Sequence, residues 1–141
     1  MRRSHSGDVA FTIHVDTREQ PGHAYDFSAI ARSAFPFSVA SATLRTGDYQ
    51  LACHGWDSDD ESQRIAIERK TLSDLYGSLS SGRMRFEKEF VRLAEFGYAA
   101  LVIESPWDHI AKPNDWLRHP TQMLPRSAIA TLLLFDDGGA R

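Results

Sequence analysis

The sequence predicts an α/β fold in which helices pack around one central sheet. Apolar and polar residues alternate over short segments in the first half of the chain, a spacing typical of strands. From Leu72 onward the apolar residues recur at helical spacing instead. Strands come mostly first and are followed by helix, helix, strand and helix. This order favours an α/β sandwich built on a single sheet.

Length and composition agree with one globular domain. The 141 residues are 42% hydrophobic and 25% charged, which are ordinary values for such a domain. The single cysteine, Cys53, excludes an internal disulfide framework, and the chain has no CxxC or HxxxH pair for a four-ligand zinc site. We expect a cytoplasmic setting and no membrane partner, because no apolar run approaches the ~20 residues of a membrane span. The predicted division is a disordered basic tail (1–9), one folded domain (10–135) and a short tail (136–141).

The first half of the chain is predicted to contribute four strands and one short helix. The turn Thr46-Gly47-Asp48 separates the second strand from the third. The third and fourth strands are expected to pair as a hairpin across an acidic loop. Carboxylates end the first and fourth strands, at Asp16 and Glu68. The strands are predicted over 11–15, 39–44, 49–51 and 64–68, and the helix over 25–34.

The second half is predicted to be mainly helical. Helices are expected over 72–79, 83–96 and 127–135, and Gly97 is the expected C-cap of the second. Arg85 and Glu89 lie four residues apart and are expected to support that helix on its exposed side. The continuous apolar run over 99–103 suits a buried strand in a mixed sheet. An irregular segment is predicted over 117–125.

Three carboxylates, Asp16, Asp48 and Glu68, follow strands or turns. Lys70 comes two residues after Glu68, a spacing that places both side chains on one face of a strand. Hard oxygen ligands with a lysine beside them are the parts of a divalent-metal site that hydrolyses phosphodiesters. A purely structural interpretation stays open, because a Glu-x-Lys pair on a strand is usually a surface ion pair. Carboxylates after strands are also often caps or turn residues, and Asp74 fits a plain first-turn acid.

A longer pattern resembles the signature of the XPF/Hef-type structure-specific endonucleases. That signature is GD, a variable gap, ERK, three residues and D. Here the gap spans 49–67. The segments VDTRE (15–19), TLSDLYGSL (71–79), GR (82–83) and LVIE (101–104) are similar to further motifs of the family, in the same order. The signature residues in this chain are Gly47, Asp48, Glu68, Arg69, Lys70 and Asp74.

The resemblance implies a restriction-endonuclease-like α/β core, a central mixed sheet flanked by helices. The chain ends soon after the last predicted helix, which leaves open a core truncated at its C-terminal end. Asp48 and Glu68 would be the principal ligands of Mg²⁺ or Mn²⁺, aided by the carbonyl of Arg69. Asp16 would be a nearby ligand or a water-mediated partner, and Lys70 the base that orients the attacking water.

The resemblance also implies supporting roles, a substrate class and partners. Arg18, Glu19, Arg69 and Asp74 would support the centre, while Arg83 and Arg85 would contact DNA. The substrate would be branched or single-strand-bearing DNA, such as flaps, forks and junctions in repair or recombination. A homodimer or a separate DNA-binding protein is the expected partner, in a nucleoid-associated bacterial or phage-type setting.

Two other functions remain open. One is a catalytically silent DNA-binding or scaffold module of the same family, and the other is a restriction or recombination nuclease of the same fold. The three tryptophans, Trp56, Trp107 and Trp116, have side chains able to stack on unpaired bases. Their irregular spacing favours partial burial in the core instead.

Overall fold

The structure is a computed structural model that describes residues 11–19, 22–27, 30, 36–53 and 59–138. The predicted N-terminal tail, most of the predicted helix over 25–34 and Trp56 lie outside these residues. The domain bounds given above stay a prediction. No helix in the described part of the chain is long and apolar enough to cross a membrane.

Five strands form one sheet in the order β2-β1-β3-β4-β5. β1 is parallel to β2 and antiparallel to β3, and β3 is antiparallel to β4. The predicted mixed sheet and the predicted hairpin of the third and fourth strands are therefore confirmed. The strands are β1 (Phe11–Asp16), β2 (Phe37–Ala42), β3 (Tyr49–Cys53), β4 (Ile65–Thr71) and β5 (Tyr98–Glu104).

Within the described ranges, four α-helices follow the hairpin, with two short 3-10 helices among the connections. The first helix has the predicted bounds, and the last is longer than predicted at both ends. The third, together with the 3-10 helix after it, was not predicted. The helices are α1 (Leu72–Leu79), α2 (Arg83–Leu93), α3 (Trp107–Ala111) and α4 (Pro125–Gly138), and the 3-10 helices are Glu61–Gln63 and Pro113–Asp115.

The chain divides into two compact units, residues 1–68 with 95–100 and residues 69–94 with 101–141. In the first unit, Ile13, Leu44 and Tyr49 are among the buried apolar side chains of the sheet. Tyr49 also stacks on Tyr25, with ring centroids 5.4 Å apart, and its hydroxyl accepts a hydrogen bond from the Tyr25 backbone. The sheet of this unit thus has an aromatic anchor next to the start of β3.

The core of the second unit is built from helices and the end of β5. Leu75 and Leu79 of α1 are buried with Phe86 of α2, and Leu101 and Ile103 of β5 pack against this cluster. The helical spacing identified in the sequence therefore marks the face that α1 buries. Together with the mixed sheet, this packing confirms the predicted α/β class.

Two predicted boundaries, those of β4 and α2, and the predicted burial of β5 are wrong, each for a local reason. β4 does not end at Glu68 but continues to Thr71, whose hydroxyl accepts a hydrogen bond from the Asp74 N–H and so caps α1. α2 ends at Leu93, and Gly97 does not cap it, because its N–H donates to the Glu61 carbonyl. β5 lies at the edge of the sheet and is half exposed, so it is not the buried strand that its apolar run predicted.

Candidate active site

Backbone hydrogen bonds place the three predicted acids at neighbouring positions of the first unit. The N–H of Asp16, at the end of β1, donates to the carbonyl of Asp48 over 2.9 Å. The N–H of Asp48 donates in turn to the carbonyl of Ile67, the residue before Glu68, also over 2.9 Å. The side chains of Asp16 and Glu68 are buried, with 4% and 6% of their surface exposed, and Asp48 is half-buried.

Gly47 makes the turn that delivers Asp48 possible. Its φ is +77°, in the left-handed region that side chains rarely adopt. A Cβ at this position would also lie 3.1 Å from the Ile67 carbonyl oxygen. The glycine of the GD pair is therefore a backbone requirement, since it lets the turn lie directly against β4.

A buried side chain fixes the other end of the same turn. The amide of Gln50, 3% exposed, donates to the carbonyl of Thr46 over 2.9 Å. Its oxygen accepts a hydrogen bond from Nη1 of Arg64 at 3.2 Å. Neither contact was predicted, because an alternating strand pattern gives no sign of which polar residue folds back onto a turn.

Arg18 provides positive charge among the acids. Its Nε donates to Oδ2 of Asp16 at 2.7 Å, and its Nη2 donates to the Leu44 carbonyl at 2.6 Å. The hydrogen bond and charge of Asp16 raise the pKa of Arg18 above its ordinary value, and the charges of Asp48 and Glu68 raise it further. All three carboxylates therefore lie within electrostatic reach of one guanidinium.

Asp16 is held in its ionised form. Burial acts to raise the pKa of this carboxyl, but hydrogen bonds from the side chain and backbone of Arg18 outweigh it. A further, longer hydrogen bond comes from the Leu44 N–H at 3.5 Å. The net result is a pKa below the usual value.

The acids suit a hard divalent cation by their chemistry, because Mg²⁺ prefers carboxylate oxygens. The charges of all three carboxylates act on the same guanidinium, that of Arg18. Within the described ranges, however, no group of three or more His, Cys, Asp or Glu side chains is drawn together closely enough to hold a metal ion. In this arrangement Arg18 supplies the compensating charge.

Lys70 and Arg69 belong to the second unit and lie on opposite faces of β4. The buried residues of this strand alternate as Ala66, Glu68 and Lys70, so Glu68 and Lys70 share a face, as predicted. Arg69 pairs with Glu104, its Nε 3.2 Å from Oε2.

Two residues around Lys70 were not anticipated. Its Nζ lies 3.6 Å from Oε2 of Glu89 and 5.1 Å from the centroid of the Phe86 ring. The predicted partnership of Glu89 with Arg85 on the exposed side is therefore wrong, since Glu89 turns inward. The one signal in the sequence is that Phe86 and Glu89 are three residues apart and so lie on one side of α2.

The other predicted site residues make local contacts or lie exposed on a helix. Asp74 accepts a hydrogen bond from the Thr71 hydroxyl at 2.7 Å and thereby locks the start of α1 directly after the ERK tripeptide. The N–H of Glu19 donates to the Asp16 carbonyl and closes the turn after β1. Arg83 pairs with Glu87 at 2.9 Å, and Arg85 is exposed on α2.

The described residues thus combine a mixed sheet, acids at strand ends or turns, and a lysine on β4. A comparison with family models matches residues 15–133 to the ERCC4 domain. The chain belongs to the ERCC4 domain family, and its resemblance to the XPF-type endonucleases is confirmed.

Solved structures agree with this assignment. XPF from Aeropyrum pernix is 24% identical with a TM-score of 0.56, over 91% of this chain and 52% of that one. XPF from Aeropyrum pernix in complex with DNA is 26% identical with a TM-score of 0.53, over 89% of this chain and 50% of that one. The chain spans about half the length of these structures. No curated protein matches it.

Proposed function

We propose that the protein is a divalent-metal-dependent endonuclease that hydrolyses phosphodiester bonds in branched or single-strand-bearing DNA. The observation that carries the proposal is the hydrogen-bonded succession of Asp16, Asp48 and the strand bearing Glu68, with the charge of each acid acting on Arg18. Family membership supports the same conclusion, and the DNA complex of the related XPF makes DNA the natural substrate.

Asp48, Glu68 and Asp16 would hold the cation, Mg²⁺ or Mn²⁺. When bound, such a cation lowers the pKa of a ligated water and neutralises charge on the phosphate. Arg18 lies where it can balance the acids in the absence of a cation and donate to a phosphate oxygen in its presence. Its side chain is 67% exposed, so it is free to make that exchange.

Lys70 would orient the attacking water. It shares a face of β4 with Glu68, and only 8% of it is exposed. The carboxylate of Glu89 and the ring of Phe86 both favour an ammonium held in one place. A fixed cation of this kind stabilises the negative charge that grows on the phosphate during hydrolysis.

The first prediction tests this centre by cleavage. Labelled flap, fork and junction substrates are incubated with Mg²⁺ and each of four proteins: the parent, Asp48→Ala, Lys70→Ala and Asp59→Ala. Asp59 is an exposed acid outside the centre and serves as the control. We expect Asp48→Ala and Lys70→Ala to slow cleavage on the order of 10²–10³-fold, as when one group that stabilises transition-state charge is removed.

The outcomes separate the rival functions. Cleavage by Asp48→Ala and Lys70→Ala at the parent rate would remove these residues from the centre. DNA binding by the parent without any cleavage would identify a silent scaffold module. Sequence-specific cuts in linear duplex would identify a restriction or recombination nuclease. The homodimer or DNA-binding partner and the nucleoid setting remain proposals, which sedimentation of the purified protein and its localisation in cells would test.

A further inference from the structure

The segment between β5 and α4 exposes two tryptophans. Trp107, at the start of α3, is 63% exposed, and Trp116, after the 3-10 helix Pro113–Asp115, is 59% exposed. The partial core burial expected from the sequence is therefore wrong for both. A buried indole removes more surface from water than most side chains do. An indole that stays exposed therefore does not contribute this large stabilisation. Tryptophans are enriched at interfaces, so an exposed one is a candidate for contact with a ligand.

Trp116 is already half of an aromatic stack. The ring of His109 lies parallel to it, with centroids 3.7 Å apart and planes inclined by 16°. One face of the indole is thus covered by the imidazole, so a further ring can stack only on the opposite side, and 59% of the residue is exposed. A flat aromatic group entering from solvent would continue the stack on that side.

The loop that carries Trp116 is fixed before any ligand arrives. Asn114 donates to the Thr121 carbonyl and accepts from the Thr121 N–H, at 3.2 Å and 2.7 Å. The Leu117 N–H donates to the carbonyl of buried Pro113 over 2.8 Å, and Leu117 packs against the core of its unit. Little conformational entropy is therefore lost when a ligand stacks on Trp116.

The surroundings of Trp116 favour nucleic acid over protein as its ligand. Lys112, Arg118 and His119 are exposed in the same segment. Charged residues are depleted at the centre of protein interfaces, whereas aromatic rings interleaved with basic side chains are typical of single-strand binding sites. Asp108 and Asp115 lie in the segment too, so most of the affinity would come from stacking and little from net charge.

We propose that Trp116, backed by His109, is a stacking platform for a base of an unpaired DNA strand, with Lys112 and Arg118 beside it for the phosphates. The proposal rests on the proposed function in one respect, that DNA is the ligand. It goes further by assigning the single-stranded arm of a branched substrate to a particular surface of the second unit.

The experiment measures binding without cleavage. A fluorescently labelled thymidine oligonucleotide of about 12 residues, within the usual site sizes, is titrated in EDTA and its anisotropy recorded. A blunt duplex is the second ligand. The proteins are the parent, Trp116→Ala, Trp116→Phe and, as a matched control, Tyr98→Ala, an aromatic residue of β5 that is 63% exposed.

We expect Trp116→Ala to raise Kd for the single strand roughly five- to hundred-fold, the range that loss of one base–aromatic stack produces. Trp116→Phe keeps a ring and should bind within about threefold of the parent. Tyr98→Ala should match the parent. Binding to the blunt duplex should change little in any variant, and the thermal unfolding of Trp116→Ala should match that of the parent, because the indole is mostly exposed.

Unchanged single-strand binding by Trp116→Ala would overturn the platform, as would an equal loss for single strand and duplex. A change from dimer to monomer in sedimentation, with binding unaffected, would show instead that Trp116 serves a protein interface. Cleavage of flaps by a parent protein that does not bind the single strand would overturn the platform and leave the nuclease standing. Loss of cleavage in Asp48→Ala alone bears only on the nuclease.

Discussion

Tyr76 shows at the scale of one residue how the second unit combines apolar packing with a polar tip. The residue is 2% exposed within α1, and its hydroxyl donates to the carbonyl of Ile110 in α3 over 2.6 Å. Burial raises the pKa of this phenol above its usual value. The hydroxyl therefore stays protonated as a donor, and it satisfies a carbonyl that the short helix α3 leaves without an internal partner.

We expect Tyr76→Phe to lower the free energy of unfolding by about 1–3 kcal/mol, because the Ile110 carbonyl then loses its buried donor. Urea unfolding of the parent and variant at neutral pH measures this loss. Tyr98→Phe, at an exposed position, is the control and should be neutral. A stability equal to that of the parent would show that water reaches the carbonyl.

The same hydroxyl predicts a dependence on alkaline pH. The pKa of Tyr76 is higher in the folded chain than the unfolded value of about 10, so the unfolded chain loses this proton first. The contribution of Tyr76 to stability is thus complete below that pH and is lost as the pH rises through the folded pKa. Tyr76→Phe should therefore lose less stability than the parent above pH ~10. If the stability of the two proteins fell equally with rising pH, the Tyr76 hydroxyl would not be the group responsible.

The positions of site residues at strand ends and turns were predictable from the sequence. Their contacts with side chains of other elements were not. Asp16 and Asp48 were singled out because one ends a strand and the other lies in a turn, and the backbone joins those positions. The contact of Lys70 with Glu89 was missed, because it forms only once α2 packs beside β4. Single-sequence patterns record the periodicity of an element but not what lies opposite it.

At the scale of elements, the sequence predictions are wrong where one strand or helix ends and connects to the next. The predicted strand ended at Glu68, yet the alternation of β4 continues through Lys70, and Arg69 and Lys70 each pair with an acid. The entry to β5 depends on Gly97, whose N–H reaches the Glu61 carbonyl at 3.3 Å. A glycine after a helix predicts a C-cap, but here its use is a close approach of two backbones.

Gly97→Ala tests that approach. A Cβ at Gly97 would overlap the backbone carbonyl of Ser62, and backbone cannot move aside as a flexible side chain can. We expect a loss of stability of about 1–3 kcal/mol, the usual effect of overpacking. Chemical denaturation at a fixed pH measures it.

The matched control is Gly77→Ala in α1. A Cβ at Gly77 would meet nothing within 4 Å, and the position is helical and exposed. Alanine there should raise stability by about 0.5–1 kcal/mol, because glycine costs entropy inside a helix. Opposite signs for the two substitutions would confirm that the constraint at Gly97 is steric. If Gly97→Ala left the stability unchanged, the turn after α2 would be able to shift and accommodate the Cβ.

At the scale of the whole molecule, the charge balance limits how strongly the protein would attract DNA in the proposed function. The formal net charge is −3, so non-specific attraction over the entire surface is weak. α2 is the local exception, with Arg85, Lys88 and Arg92 spaced to fall on one side of the helix. Arg83 is engaged by Glu87 at 2.9 Å, which makes Arg85 the stronger of the two predicted DNA contacts.

This balance predicts a shallow salt dependence of binding to branched DNA. Each cation that neutralises a phosphate contributes about −0.9 to the slope of log K against log salt, so contacts from α2 alone give roughly −3. Arg85→Ala should make the slope less steep by about 0.9. The control is Arg45→Ala, since Arg45 is 59% exposed but held by Glu61 and Glu95 at 2.7 Å and 2.5 Å. An identical salt slope for the parent and Arg85→Ala would exclude a phosphate contact at Arg85. A much steeper slope for the parent would show that basic residues outside α2 also contact phosphates.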